Sequence, residues 1–338
     1  MISSEPRIVI AGAGSIGCYA GGCLAAAGRQ VTLLIRPRLE TALREHGLKI
    51  IDLDATETIV RPERFTMASD PAIAFAEADI ILVAVKSGAT EEMARSIANH
   101  APPETIVVSL QNGVGNAETL HRILPKNMIV ISGMVPFNVV QSDALPLTVR
   151  RTTQGTVLID DALGDLPPVL SVPGFSVQAH PDMQGVLWGK LLINLNNAPN
   201  ALSNLPLATQ LADRSWRCLV ADQISEGLRV MKAHGIVPAR IQGIAPAMLP
   251  WILRLPTALF RIVARKMLAI DPRARSSMWE DFSRGRPTEV DYLQGVITRL
   301  AKEKGIAAPL AAKVTACVKR AEGKPLRSHS VEEIRAGR

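Results

Sequence analysis

The sequence predicts an α/β fold: a doubly wound parallel sheet in the first half and an all-helical second half. Two patterns carry this expectation. Short apolar runs at Ile8–Ala11, Val31–Ile35, Ile80–Val85, Thr105–Leu110 and Met128–Ile131 have helix-like segments between the first four. That is how parallel strands covered on both faces read. From Val186 onward the chain reads as helices separated by Pro and Gly, over 184–204, 212–234, 246–267, 272–284, 288–304 and 308–321. Two later β-type runs, Leu147–Arg151 and Gly155–Ile159, are expected to form a hairpin that closes the first domain. The pattern changes at His180-Pro181-Asp182. Domains are therefore expected at 1–182 and 183–325, with a charged, loosely held tail from about Glu322, set apart as 326–338.

Composition narrows the function classes. A chain of 338 residues holds about two domains of roughly 150 residues. With 47% hydrophobic and 20% charged residues, disordered, collagen-like and disulfide-scaffold classes are excluded. The net charge of +7 is unevenly spread. Residues 1–180 carry 14 Lys+Arg against 18 Asp+Glu, and residues 181–338 carry 24 against 13. A basic half suits a nucleic acid, a small anionic substrate or a phosphate-bearing cofactor. Cys18, Cys23, Cys218 and Cys317 form no CxxC pair and no His-Cys cluster. Neither a metal site nor a disulfide framework is expected, and a reducing cytoplasm is. No signal segment is expected ahead of the strand at Arg7. The most apolar stretch, Ile244–Ile270, is broken by Pro246, Pro250 and Pro256 and carries Arg254, Arg261, Arg265 and Lys266. It fails as a membrane span, which needs about 20 nearly uncharged residues, so no membrane partner is expected.

The first motif follows the first strand. Arg7-Ile8-Val9-Ile10-Ala11 runs into Gly12-Ala13-Gly14-Ser15-Ile16-Gly17, a GxGxxG sequence opening a small-residue helix, Cys18–Ala27. Gly12 permits the tight turn, Gly14 lets a pyrophosphate approach the backbone, and Gly17 lets the helix close on the sheet. The helix N-terminus then offers N–H groups to the phosphates. In this strand–turn–helix context the reading is a Rossmann-type dinucleotide site. Where NAD binders place Asp or Glu after the second strand, this chain has Arg36-Pro37-Arg38. A carboxylate repels a 2′-phosphate and an arginine pairs with it, so NADP(H) is favoured. Lys86 follows the strand Ile80–Val85, at the edge where such sheets bind ligands. Gln111-Asn112-Gly113-Val114-Gly115 follows the next strand and is read as an amide beside the nicotinamide and the substrate.

The second half opens on Trp188-Gly189-Lys190-Leu191-Leu192-Ile193-Asn194-Leu195-Asn196-Asn197-Ala198-Pro199-Asn200. At about 100° per residue, Lys190, Asn194 and Asn197 form one polar stripe on an apolar helix. A lysine desolvated there loses basicity and is suited to protonate a developing alkoxide. A second segment runs from Ser276 to Glu289. Ser277 can grip a substrate carboxylate through its hydroxyl and backbone N–H. Thr288 reads as a helix N-cap, with Glu289 in the first turn complementing the helix dipole.

Taken together, GAGSIG, VKSGAT, QNGVGN, WGKLLINLNNAPNAL and SSMWEDFSRGRPTEVDYLQG, in this order, resemble the ketopantoate reductase (2-dehydropantoate 2-reductase) family from about Arg7 to Lys319. The resemblance implies a Rossmann domain followed by a helical one, and reduction of ketopantoate to pantoate with NADPH in pantothenate biosynthesis. It assigns Lys190 as the catalytic lysine, Asn194 and Ser277 to the substrate, and Glu289 to the neighbourhood of lysine and cofactor. It places Asn112 at the nicotinamide, and Arg36 and Lys86 around the adenosine phosphate. Two departures stand out. The family's second substrate asparagine, eight residues after the lysine, is Ala198 here, with Asn197 a substitute of different reach. The segment 236–275 is long, apolar and arginine-bearing beside compact members, suited to cap the site or to form a homodimer surface.

The expected function is thus NADPH-dependent reduction of a small anionic 2-keto acid, most simply ketopantoate. Alternatives are another 2-keto acid on the same scaffold, or a non-catalytic NADP(H)-sensing regulator. The sequence shows no recognition helix and no basic-aromatic run, so a nucleic-acid partner is not expected. The positive charge of the helical half is then read as attracting the keto acid and the cofactor phosphates.

Overall fold

A computed structural model describes residues 2, 5–142, 145–240, 243–265 and 274–337. It divides into two compact units, Met1–Met183 and Gln184–Arg338.

The first unit runs β1 (Arg7–Ala11), α1 (Ser15–Ala26), β2 (Gln30–Leu34), α2 (Pro37–His46), β3 (Leu48–Ile51), β4 (Glu57–Val60), β5 (Thr66–Ala68), α3 (Pro71–Phe75), β6 (Ile80–Val83), α4 (Thr90–His100), β7 (Ile106–Ser109), α5 (Asn116–Ile123), β8 (Ile129–Met134), β9 (Val139–Ser142), β10 (Leu147–Arg151), β11 (Val157–Asp160), α6 (Leu166–Leu170) and β12 (Val177–His180). Among the described residues, eight strands form the main sheet in the order β12-β11-β8-β7-β6-β1-β2-β5. From β5 to β8 every pairing is parallel; β11 returns antiparallel to β8. Strand order reverses between β1 and β6, the switch point where such sheets bind ligands. The five expected strands are all present, as β1, β2, β6, β7 and β8.

The expected hairpin is not. Its first run is β10, which pairs with β3 and β9 in a separate four-stranded sheet, β4-β3-β10-β9, while its second run becomes β11 of the main sheet. Helix α1 lies between the two sheets, which explains its small residues. A Cβ on Gly21 would meet Leu33 and Ile10 of the main sheet at 2.6 and 2.9 Å. One on Gly22 would meet Ile50 and Leu48 of the small sheet at 2.7 and 2.8 Å. Cys18 and Cys23 are buried in this layer, where desolvation pushes both thiols up to about 12 and leaves them unreactive.

The second unit is helical: α7 (Met183–Asn194), α8 (Asn197–Ser203), α9 (Leu207–Ala212), α10 (Arg214–Ala233), α11 (Leu249–Arg254), α12 (Thr257–Val263), α13 (Ser277–Ser283), α14 (Gln294–Glu303), α15 (Pro309–Ala321) and α16 (Val331–Ala336). Three of the six expected helices, those over 184–204, 246–267 and 288–304, are divided, and local chemistry explains the boundaries. Asp213 accepts from the Ser215 N–H and starts α10 afresh after α9. Pro256 ends α11, so the helix expected over 246–267 becomes a 3₁₀ turn at Pro246–Met248 followed by α11 and α12. Its last residues, 266 and 267, lie outside the described residues, as do Asp271, Pro272 and Arg273 before α13. The helix expected over 288–304 is a 3₁₀ turn, Val290–Tyr292, and then α14. The tail is held, contrary to expectation. Ser330 and Glu333 form a capping box on α16, Val331 and Ile334 are buried, and Arg335 pairs with Asp222.

Two buried charges organise this unit around α10. Glu226 accepts the N–H groups of Leu310 and Ala311, complementing the N-terminus of α15. Arg217, fully buried, donates to the carbonyls of Leu211, Ala212, Leu253 and Leu255 and stacks on Phe260 at 4.3 Å. The guanidinium thereby satisfies its donors on carbonyls that α9 and α11 leave unpaired at their C-terminal ends.

Candidate active site

Four neighbouring strands of the main sheet end at the residues singled out for the cofactor. Gly12–Gly17 follows β1, Arg36 follows β2, Lys86 follows β6 and Asn112 follows β7. Gly12 has φ +112°, and a Cβ there would strike Val85 at 2.7 Å, so only glycine takes this turn. A Cβ on Gly17 would stand on the carbonyl oxygen of Gly12. Gly14 differs: its missing Cβ faces open space. It is also the N-cap of α1, with no side-chain cap and no acidic residue in the first turn. Ala13, Ser15 and Ile16 complete this turn. Open N–H groups at a helix start, with a clear approach, fit a dinucleotide pyrophosphate. Arg36 and Arg38 are both exposed around the start of α2, and Lys86 is exposed at the turn Ser87–Ala89.

Asn112 is half-buried, and its backbone is tied down by a polar cluster that sequence reasoning missed. Its carbonyl accepts from Ser87 Oγ at 2.8 Å and Asn116 Nδ2 at 2.7 Å. Thr90 Oγ1 lies 2.9 Å from Asn116 Oδ1 and accepts from Gln111 Nε2 at 2.7 Å. Gln111 Oε1 accepts in turn from Ser109. Ser87, Thr90, Ser109, Gln111 and Asn116 are all buried. Such a satisfied network locks the loops after β6 and β7 together. The sequence offered only Asn-Gly turn chemistry as a signal.

In the second unit, Lys190 and Asn194 stand one turn apart on α7, whose Leu191 and Leu192 face the core. Lys190 is half-buried. Desolvation pulls its ammonium down to about 8, against the opposing pull of the Glu289 charge. Glu289 begins the turn Val290–Tyr292. Thr288 is not the N-cap residue of a long helix: its hydroxyl accepts from Val290 N–H and bonds Glu322.

The continuous stripe ends at Asn194, and Asn197 begins a new helix. Pro199 has no N–H for the carbonyl of Leu195, and its ring crowds that carbonyl. Gln294 Nε2 supplies the missing donor at 2.8 Å. The asparagines beyond the break divide their work. Asn200 accepts from Ser276 N–H at 2.8 Å and donates to Gln210, which also bonds Asn196. Ser276, the buried N-cap of α13, donates its hydroxyl to the Asn197 carbonyl at 3.0 Å. This fastens α13 to α8, and Ser277 is exposed at the first turn of α13. Ala198 is fully buried. Among the described residues no group of three or more His, Cys, Asp or Glu is placed to hold a metal ion.

A glycine-rich turn at a sheet switch point is the pattern of dinucleotide-binding folds. Comparison with known proteins gives the family. Residues 8–164 match the model for ketopantoate reductase PanE/ApbA, and residues 182–322 match the model for its C-terminal region. The chain belongs to the ketopantoate reductase family. The 2-dehydropantoate 2-reductase of Halobacterium salinarum is 28% identical over 90% of this chain and 95% of its own. A PanE/ApbA family ketopantoate reductase from Ralstonia eutropha JMP134 superposes with a TM-score of 0.78 at 29% identity, covering 94% of this chain and 98% of that one. A D-mandelate dehydrogenase, solved with NADH and anilino(oxo)acetate, shares the fold at a TM-score of 0.77 and 21% identity, covering 94% and 98%.

Proposed function

We propose that this protein reduces a 2-keto acid to the 2-hydroxy acid with NADPH, its substrate being 2-dehydropantoate and its product pantoate, for pantothenate biosynthesis in the cytoplasm. The observation that carries this reading is Lys190, desolvated and within the field of Glu289. When bound, the nicotinamide supplies the hydride for the keto carbon. Lys190 donates the proton to the carbonyl oxygen and stabilises the charge developing there. Asn194, Asn197 and Ser277 hold the substrate's carboxylate and hydroxyl. Glu289 orients Lys190 and keeps it protonated, and is also assigned to the cofactor ribose. Asn112 positions the nicotinamide and the substrate. Exposed Arg36 favours a 2′-phosphate, with Lys86 near the adenosine phosphate.

The test is NADPH oxidation with a panel of 2-keto acids, repeated with NADH. The expected result is highest kcat/KM for ketopantoate and a preference for NADPH; absence of turnover with every keto acid overturns the reading. A second substrate is favoured by one observation. Ala198 offers no hydrogen bond where the family has an asparagine, and one lost polar contact shifts discrimination by about tenfold or more. A homodimer belongs to the same reading and is checked by molar mass in solution.

A further inference from the structure

We propose that the outward face of α11 and α12 is a docking surface for an anionic lipid bilayer. Five large apolar side chains stand in solvent within sixteen residues: Met248, Trp251 (73% exposed), Leu259, Ile262 (74%) and Val263. Other exposed apolar residues are scattered along the chain, as surfaces generally allow. Here they are concentrated on one helix pair and the 3₁₀ turn that leads into it, and concentrated exposure marks an interaction surface.

The exposure is built into the fold. Phe260 and Ala264 are buried and point α12 inward on one side. Arg217 grips the carbonyls of Leu253 and Leu255, the Thr257 hydroxyl and the Phe260 ring, fixing the corner between the two helices. At about 100° per residue, Ala258, Leu259, Ile262 and Val263 fall in one stripe, with Arg261 beside it and Arg265 continuing that border. An apolar stripe bordered by arginine, with a tryptophan nearby, is the pattern of a helix lying in a membrane interface.

Charge selects the occupant. From Gly227 to Ile270 the sequence has no Asp or Glu and seven Lys or Arg. Arg254 is paired with Asp222, while Arg261 and Arg265 are exposed. A second copy docked face to face would set arginines against arginines, whereas an anionic surface complements them. No helix among the described residues is long and apolar enough to cross a membrane, and surface attachment requires none. Attachment to a bilayer departs from the sequence-based expectation of no membrane partner, which was drawn from the lack of a span.

The test uses the full chain with vesicles of phosphatidylcholine alone or with a quarter phosphatidylglycerol. Sedimentation is read together with tryptophan emission. Trp188 and Trp216 are buried and the Trp279 N–H is bound by Asn204, so Trp251 is the reporter. Expected are at least tenfold tighter binding to the anionic vesicles, loss of that preference at high salt, and a blue shift absent in Trp251→Phe. Each arginine at such a surface contributes roughly fivefold. Arg261→Gln with Arg265→Gln should therefore cost about 25-fold, and Ile262→Asp should abolish binding, with unchanged circular dichroism and thermal melting. Equal binding to both vesicles, or none, overturns the proposal. So does a Trp251 blue shift that follows protein concentration without lipid, which assigns the face to a second copy. A homodimer that leaves Trp251 in water supports it.

Discussion

The glycine cradle of the first unit and the lysine helix of the second build their chemistry in opposite ways. In the cradle the useful feature is absent atoms: Gly12 and Gly17 let backbone approach backbone, and Gly14 leaves open the space proposed for a phosphate. On α7 the useful feature is a charged side chain held where it is costly, with its ammonium brought down to about 8. A site made of backbone tolerates no added carbon but needs no fine-tuned field. A site made of one displaced charge depends on every neighbour that sets that charge. The two halves should therefore fail differently under mutation.

The largest expected effect is on turnover. Lys190→Ala should lower kcat by about 10²- to 10⁴-fold while NADPH titration by fluorescence stays within a factor of two; unchanged turnover would remove Lys190 from the chemistry. Next comes the cradle. Gly17→Ala puts a methyl group on the Gly12 carbonyl, so NADPH binding and melting temperature should fall together. Gly14→Ala meets no protein atom, so it should weaken binding and leave the melting temperature alone. A Gly14→Ala protein that binds normally would show that the phosphates pass elsewhere.

Arg36→Ala should raise the KM for NADPH by about ten- to a hundredfold, as loss of a charge-assisted pair does, and leave that for NADH unchanged. Equal effects on both cofactors would make Arg36 a general surface charge. The smallest effect concerns pH. With protonated Lys190 as the proposed donor, kcat/KM, which reports the free enzyme, should be flat below pH 8 and fall above it. Glu289 raises the lysine's pKa, so Glu289→Gln should move that fall to lower pH. A midpoint that stays in place would free Glu289 from this role.

The same contrast governs what the sequence discloses. The cradle was legible because its logic is local: strand, glycines and helix are contiguous. The small sheet was not, because β3 and β10 pair across nearly a hundred residues and neither carries a turn signal pointing to the other. On the catalytic side, Lys190 with Asn194 could be read from helical spacing, but the stripe was carried too far. Pro199 was in plain view, yet its effect is felt four residues earlier, at Leu195, where Gln294 takes over the carbonyl. Arg217 lay beyond reach entirely. Nothing in its spacing on α10 separates an arginine in water from one wrapped in carbonyls.

The depressed basicity of Lys190 has one further consequence. An anion bound beside this lysine favours its charged form, so above pH 8 binding draws a proton from solution. Substrate affinity and proton uptake then become two readings of one equilibrium. Calorimetry in buffers of differing ionisation enthalpy would record a proton captured at the binding step, before any turnover.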